Sequence, residues 1–253
     1  MGDTGAKKVN KVIAVMSGRG GVGKSSITGI LAVLLARKGC KAGILDADID
    51  SPGIPKIFGM NGPMEIYGSS LMPFKSSLGI KIGSINLNMD NDKEPVSRKG
   101  PVVESVVKQL WSNVAWGELD YLLVNLPAGT SGETMTALQL MHIDGIILVS
   151  TPQELALHIA KKAANMATRM EKPVIGVVEN MSYAKCPHCQ ESIEVFGSSH
   201  AREAAKKIGI HLLGSFPMDP DFTRLCQQGD IEKYDKDIDI YLDLIFACCD
   251  NSC

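Results

Sequence analysis

The chain has 253 residues, of which 45% are hydrophobic and 21% charged, so a disordered or collagen-like chain is excluded and a sizeable core is affordable without staples. Twenty-six basic residues stand against 28 acidic ones, a net charge of −2, which leaves no electrostatic footprint for nucleic acid. The longest apolar run, Ile30 to Ala36, is far short of the ~20 residues that cross a bilayer. The opening MGDTGAKKVNK is polar, and with no secretory leader in it the expectation is a cytoplasmic protein with reduced thiols.

In chain order, Val12–Met16, Ala42–Leu45, Ile80–Leu87, Tyr121–Leu126, Gly145–Ser150, Val174–Val178 and His211–Phe216 read as strands. Most are runs of Ile, Val and Leu with little polar alternation, the pattern of strands covered on both faces. Helical stretches fall between them: Lys24–Lys38, Arg98–Trp116, Glu133–His142, Pro152–Met170, Ser199–Ile208 and Pro220–Gln228, with a last one near Asp237–Cys248. This alternation predicts an α/β fold, a doubly wound, mostly parallel sheet with helices on both faces. Residues 1–253 are expected to form a single domain, with its least regular parts at Ser51–Ser77 and Asn180–Ser198.

Gly18-Arg19-Gly20-Gly21-Val22-Gly23-Lys24-Ser25 matches G-x-x-x-x-G-K-[ST] in full, between a strand and an apolar helix. Glycines at these positions let backbone N–H groups turn toward phosphate oxygens, and a helix N-terminus adds positive partial charge. Lys24 is expected at the β- and γ-phosphates, Ser25 on Mg²⁺ and Ser26 near the α-phosphate. Asp46 ends a strand, where it can hold a metal ion or its water.

The extra basic residue, Arg19, makes the loop resemble the deviant Walker A motif of the ParA/MinD/nitrogenase-iron-protein group, which has lysine there. The resemblance implies that this residue contacts nucleotide across a dimer interface; a solvated arginine is the alternative. Further segments narrow it. Asp46-Ala47-Asp48-Ile49-Asp50-Ser51-Pro52, Thr151-Pro152-Gln153-Glu154, Val178-Glu179-Asn180-Met181-Ser182, Cys186-Pro187-His188-Cys189 and Pro217-Met218-Asp219-Pro220 occur in the order found in Mrp/ApbC-type ATPases. The chain is identified as resembling that family nearly end to end. Its members are iron–sulfur carrier or scaffold ATPases, usually homodimers or heterodimers with a related chain, that serve apo iron–sulfur clients.

By this resemblance Asp48 orients the attacking water, Gly129 lies near the γ-phosphate, Asn180 meets the adenine edge, and Pro217 and Asp219 lie in a second loop beside the base. Turn or capping chemistry is the plainer alternative for Asp48, Asn180 and Asp219. Asp50 receives no role. One departure stands out. Where the family has aspartate at the Walker B strand end and then a proline pair, this chain has Asn125 and Pro127-Ala128. Asparagine keeps an acceptor oxygen but loses the charge that favours Mg²⁺. ATP binding is therefore expected to survive while hydrolysis becomes slow or partner-dependent.

Seven cysteines cannot all pair within one chain. Cys186 and Cys189, in a CxxC loop at 180–198, can bite one metal but supply only half of a four-thiolate site. The rest must come from a second chain or a distant cysteine. The resemblance implies a [4Fe–4S] cluster bridging two subunits about a two-fold axis; Zn²⁺ or a dithiol redox pair are the alternatives. Cys248, Cys249 and Cys253 crowd the tail 246–253 with an undecided role. Cys40 and Cys226 read as packing residues. Set against the carrier is a scaffold or regulatory subunit that binds nucleotide without hydrolysing it.

Overall fold

In the computed structural model, the described residues are 8–49, 53–84, 100–129, 132–153, 166, 169–236, 238–240, 242, 243, 245 and 246. Thirteen strands appear among them: β1 (Val9–Ser17), β2 (Ala42–Asp46), β3 (Ile66–Tyr67), β4 (Ser70–Leu71), β5 (Phe74–Lys75), β6 (Lys81–Ser84), β7 (Leu119–Asn125), β8 (Gly145–Ser150), β9 (Val174–Asn180), β10 (Ala184–Lys185), β11 (Ser192–Ile193), β12 (His211–Phe216) and β13 (Asp239–Ile240). The helices are α1 (Lys24–Arg37), α2 (Ile54–Ile57), α3 (Gly100–Asn113), α4 (Gly132–Leu140), α5 (Ala201–Ile208) and α6 (Pro220–Gln228). A short 3-10 turn covers Ile231–Lys233.

The main sheet runs β13-β12-β9-β8-β1-β7-β2-β6-β5. Its seven inner strands pair in parallel, and β5 and β13 cap the two edges antiparallel. Alternation along β1 shows why both faces need helices. Val12, Ala14 and Met16 enter one apolar cluster, with Val107 and Leu110 of α3, Leu138 of α4 and Ala204 of α5. Ile13 and Val15 enter the other, with Ile27, Ile30 and Leu31 of α1. Successive side chains of a strand point to opposite faces, so an unbroken apolar strand is stable only when covered twice. The expected doubly wound α/β architecture is therefore present.

Differences from expectation are local. The helix expected to run to Trp116 stops at Asn113, because Val114 bridges to Leu71 and the chain then turns inward. Trp116 is fully buried, with its Nε1 donating to the Leu110 carbonyl at 3.3 Å. Its ring lies against Gly83, where a Cβ would come within 2.9 Å of it. The stretches expected to be least regular contain α2 and two small hairpins, β3–β4 and β10–β11. Most of the expected helix Pro152–Met170, along with Asp50, the end of the expected strand to Leu87, and Cys248, Cys249 and Cys253, lies outside the described residues.

The topology decides where a site can form. β1 is flanked by β7 on one side and β8 on the other, and connections leave toward opposite faces there. Crevices in open α/β sheets form at the carboxyl ends of such strands. Ser17, Asp46, Asn125 and Asn180 are the last residues of β1, β2, β7 and β9.

Candidate functional site

The phosphate loop follows β1 directly and ends in the first turn of α1. Gly21 and Gly23 take φ of +82° and +80°, a left-handed geometry that side chains resist. A Cβ on Gly23 would also lie 2.2 Å from the Asn180 amide nitrogen. The loop, with Arg19, Gly20, Gly21, Lys24, Ser25, Ser26 and Asp48, lines a cavity of about 450 Å³. Gly129 follows Pro127 and Ala128, which line this cavity. Its N–H donates to the Ser17 carbonyl at 2.9 Å, and its φ is +83°.

Beneath the loop is a buried polar cluster with Asn125 at its centre. Lys24 Nζ donates to Asp48 Oδ2 and to Asn125 Oδ1, both at 3.0 Å. The other end of the Asn125 amide donates to Asp46 Oδ1 at 2.8 Å and to Ser25 Oγ at 3.2 Å. Asn125 has no exposed surface. The register explains the convergence, since Asp46 pairs directly with Asn125 across β2 and β7. Side chains at paired positions of parallel strands leave the sheet on the same face.

Asp46 Oδ2 is buried and makes no hydrogen bond. Burial pushes the Asp46 carboxyl up to about 7, against the opposing pull of the Asn125 hydrogen bond and the Lys24 charge. The folded state therefore holds this proton more tightly than the unfolded chain. Its contribution to stability is complete below the unfolded value near 3.8 and is lost as pH rises through about 7. Asp46→Asn is expected to melt close to wild type at pH 4 and above it at pH 8. Thermal melts of the nucleotide-free protein across that range check this, and parallel curves overturn it.

A second cavity of about 700 Å³ meets the first at Gly23 and Ser26. Ile57, Phe216, Pro217, Met218 and Phe222 give it apolar walls. The two together offer phosphate-binding amides at one end and an apolar slot at the other, each cavity within the size range of small-ligand sites.

Asn180 and Asp219 line that slot, but both are already engaged. Asn180 Nδ2 donates to the Val22 carbonyl at 2.8 Å, and its Oδ1 accepts the Met181 N–H at 2.9 Å. Asp219 caps α6 through the Asp221 N–H at 2.8 Å, and also accepts Tyr234 Oη and Lys236 Nζ at 2.9 Å each. Burial alone would raise the Asp219 carboxyl; the bonds from Lys236, the Asp221 N–H and Tyr234 outweigh it and hold the group below its usual range. Tyr234 and Lys236 were not singled out from the sequence, because nothing near them in the chain marks them as partners of residue 219.

The two thiols lie at the tip of the β10–β11 hairpin, where Ala184 pairs with Ile193 and Lys185 with Ser192. The Cys186 N–H donates to the Glu191 carbonyl and the Gln190 N–H returns to the Cys186 carbonyl, both at 2.9 Å. Hydrogen bonds from the backbone N–H of Cys189, then that of His188, then the Cys189 thiol, lower the Cys186 thiol from its usual range. Such an N–H pair favours thiolate, the form that binds metal. Among the described residues, no group of three or more His, Cys, Asp or Glu side chains is placed to hold a metal ion. Two thiols are therefore what the described residues bring together at this hairpin. Cys226 and Cys40 behave as packing residues. Burial pushes the Cys226 thiol up to about 11, and burial with the nearby Asp120 charge raises that of Cys40.

Residues 8–245 match the family model described as ParA, NUBPL iron-transfer P-loop NTPase. The chain belongs to this family. Over 246 residues it is 42% identical to an iron–sulfur cluster carrier protein of Clostridium perfringens, covering 94% of this chain and 86% of that one. A carrier of the same description from Methanocaldococcus jannaschii is 42% identical over 224 residues, covering 88% and 77% of the two chains. Among solved structures, a nucleotide-binding protein of Archaeoglobus fulgidus, in complex with ADP and with cobalt, is 40% identical with a TM-score of 0.83, covering 92% and 91%. The septum site-determining protein MinD of Pyrococcus horikoshii, complexed with Mg-ADP, has a TM-score of 0.61 at 18% identity, a likeness of fold alone.

Proposed function

We propose that the protein is an ATP-binding iron–sulfur cluster carrier, one domain over residues 1–253, in which two subunits hold a [4Fe–4S] cluster as cargo between their Cys186–Cys189 pairs. The observation that carries this reading is the pairing, in one chain, of a complete phosphate loop with a hairpin tip bearing just two thiols. Its relatives are cluster carriers, and a half-site calls for a second copy or a related chain about a two-fold axis.

The amides of Gly18, Gly20, Gly21, Val22 and Gly23 bind the phosphates, with Lys24 at the β- and γ-oxygens and Ser26 toward the α-phosphate. Asn180, Pro217 and Asp219 wall the slot for the base. Arg19 contacts nucleotide across the dimer, Gly129 senses the γ-phosphate, and Asp48 orients water. Asp46 and Ser25 are the residues that would hold Mg²⁺, which neutralises phosphate charge when bound. The unpartnered Asp46 Oδ2 suits it. The Asn125 Nδ2–H groups facing Asp46 and Ser25 oppose it, so hydrolysis is slow or needs a partner. Nucleotide favours one dimer geometry, and that geometry sets exposure of the cluster to apo clients. In this reading the protein works in the cytoplasm; no helix among the described residues is long and apolar enough to cross a membrane.

Asn125 also favours a second reading, a scaffold or regulatory subunit that binds nucleotide without turnover, with Zn²⁺ an alternative to the cluster. Anaerobic purification, with iron, sulfide, zinc and nucleotide assayed on one sample, separates these. About four iron and four sulfide per two chains is expected, with a broad visible absorption. A colourless protein with one zinc per dimer overturns the cluster, and failure to bind ADP or ATP overturns the nucleotide role.

A further inference from the structure

Glu179 is completely buried and takes no part in the nucleotide chemistry described above. It precedes Asn180 at the end of β9, so the two side chains leave the sheet on opposite faces. Neighbouring residues mark those faces: Val178 lies in the apolar cluster with α1, and Val177 in the one with α5. Asn180 reaches the phosphate loop at the Val22 carbonyl. Glu179 reaches the other way. Its Oε2 accepts the Ser182 hydroxyl, and its two oxygens accept the Ser199 hydroxyl at 2.9 and 2.7 Å.

Ser182 and Ser199 sit on either side of the cysteine hairpin, one just before residues 183–198 and the other just after. Ser199 Oγ also accepts the Ala201 N–H at 3.2 Å, which ties the far foot to the first turn of α5. The near foot is fixed again where the Ser182 N–H donates to the Phe216 carbonyl at 3.0 Å. Among the described residues no basic side chain pairs with Glu179; hydroxyl donors alone satisfy a fully buried carboxyl. A buried acceptor of this kind is costly to leave unpaired, so the two feet and the strand end move as one body.

We infer that Glu179 is a positioning residue that hangs the cysteine hairpin on the strand end contacting the phosphate loop, and so relays nucleotide occupancy to the thiol pair. The relay rests on the nucleotide reading proposed above. Phosphate oxygens bound by the loop pull on its amides between Gly20 and Gly23, and Asn180 holds the carbonyl of Val22 within that loop. A shift there passes along one peptide unit to Glu179 and from it to both feet of the hairpin. Coupling of this kind has a measurable form, a change at one site when the other is filled.

The test uses the full-length, reduced, metal-free protein and reads alkylation of Cys186 and Cys189 by iodoacetamide, resolved by peptide mass, with and without ADP. ADP affinity is measured on the same samples. In wild type, ADP is expected to change the alkylation rate at least about fivefold, the lower end of ordinary site coupling. Glu179→Gln keeps the shape and removes one acceptor oxygen; Ser199→Ala removes one donor and is the milder change. Both are expected to bring the ADP effect close to one while ADP affinity stays within about twofold. If Glu179→Gln does not fold, Ser199→Ala decides alone. A full ADP effect in the folded variants overturns the relay. So does wild type that binds ADP without a change in alkylation. Wild type that binds no ADP overturns the nucleotide reading, and the relay with it.

Discussion

Cys186→Ser and Cys189→Ser are each expected to abolish stable loading of the cluster while leaving the melting temperature and ADP affinity unchanged. The two thiols are the metal-binding groups that the described residues place together, and in the proposed dimer each chain supplies half of the site. A two-fold dimer amplifies each substitution, because the same thiol is lost from both copies. Removing an outer-shell partner of a metal typically costs about 10–100-fold in affinity, and removing two of four direct ligands must cost more. Serine is a poor substitute, since its hydroxyl is a far weaker acid than a thiol, and backbone N–H bonds lower the Cys186 thiol further. Stability has no comparable stake. Cys189 is exposed and Cys186 half-buried, at a hairpin tip outside both apolar clusters, and such surface changes stay within about 0.5 kcal/mol. The measurement is iron and sulfide content with the visible spectrum after anaerobic reconstitution. Full loading of either variant would remove this hairpin from the proposed site.

What the sequence made legible, and what it did not, follows from the range of the forces involved. β1, β7, β8 and β9 were readable because burial on both faces demands a run of apolar residues, and that demand is local. The hairpins β3–β4 and β10–β11 have strands of two residues, too short to show any period. The early stop of α3 depends on Val114 meeting Leu71 and on Trp116 finding room beside Gly83, contacts between distant segments. The same division holds in the site. The phosphate loop is one contiguous motif, so its residues could be named together. The engagement of Asp219 by Tyr234 and Lys236, and of Glu179 by Ser182 and Ser199, depends on how the chain returns to itself. Asn125 was visible as a missing charge. Its place as the bridge between Lys24, Asp46 and Ser25 was not, because that bridge is made by strand register.

Asn125→Asp is expected to raise Mg²⁺-dependent ATP turnover by at least about tenfold, and to lower the stability of the nucleotide-free protein. Both effects come from the same two contacts. Asparagine now donates to Asp46 Oδ1 at 2.8 Å and to Ser25 Oγ at 3.2 Å. Aspartate cannot donate when ionised, so it leaves Asp46 without that bond and sets two carboxyls side by side in a buried place. Losing one buried hydrogen-bond partner costs about 1–3 kcal/mol, and like-charge repulsion adds to it. The contact to Lys24 Nζ at 3.0 Å remains and becomes an ion pair, which recovers part of the loss. With Mg²⁺ and nucleotide present the balance reverses. A second carboxylate at the strand end gives the cation a hard oxygen environment and frees the Ser25 hydroxyl oxygen to face it. Phosphoryl transfer to water depends mainly on positioning and on neutralising oxygen charge, which are the two things this arrangement improves. A ligand that binds only the folded state also stabilises it by mass action. The variant should therefore melt below wild type alone and gain more than wild type from Mg-ATP. Turnover assays with and without Mg²⁺, run beside those melts, decide the matter: a variant that loses stability without gaining Mg²⁺-dependent turnover would show that Asn125 is not what restrains hydrolysis.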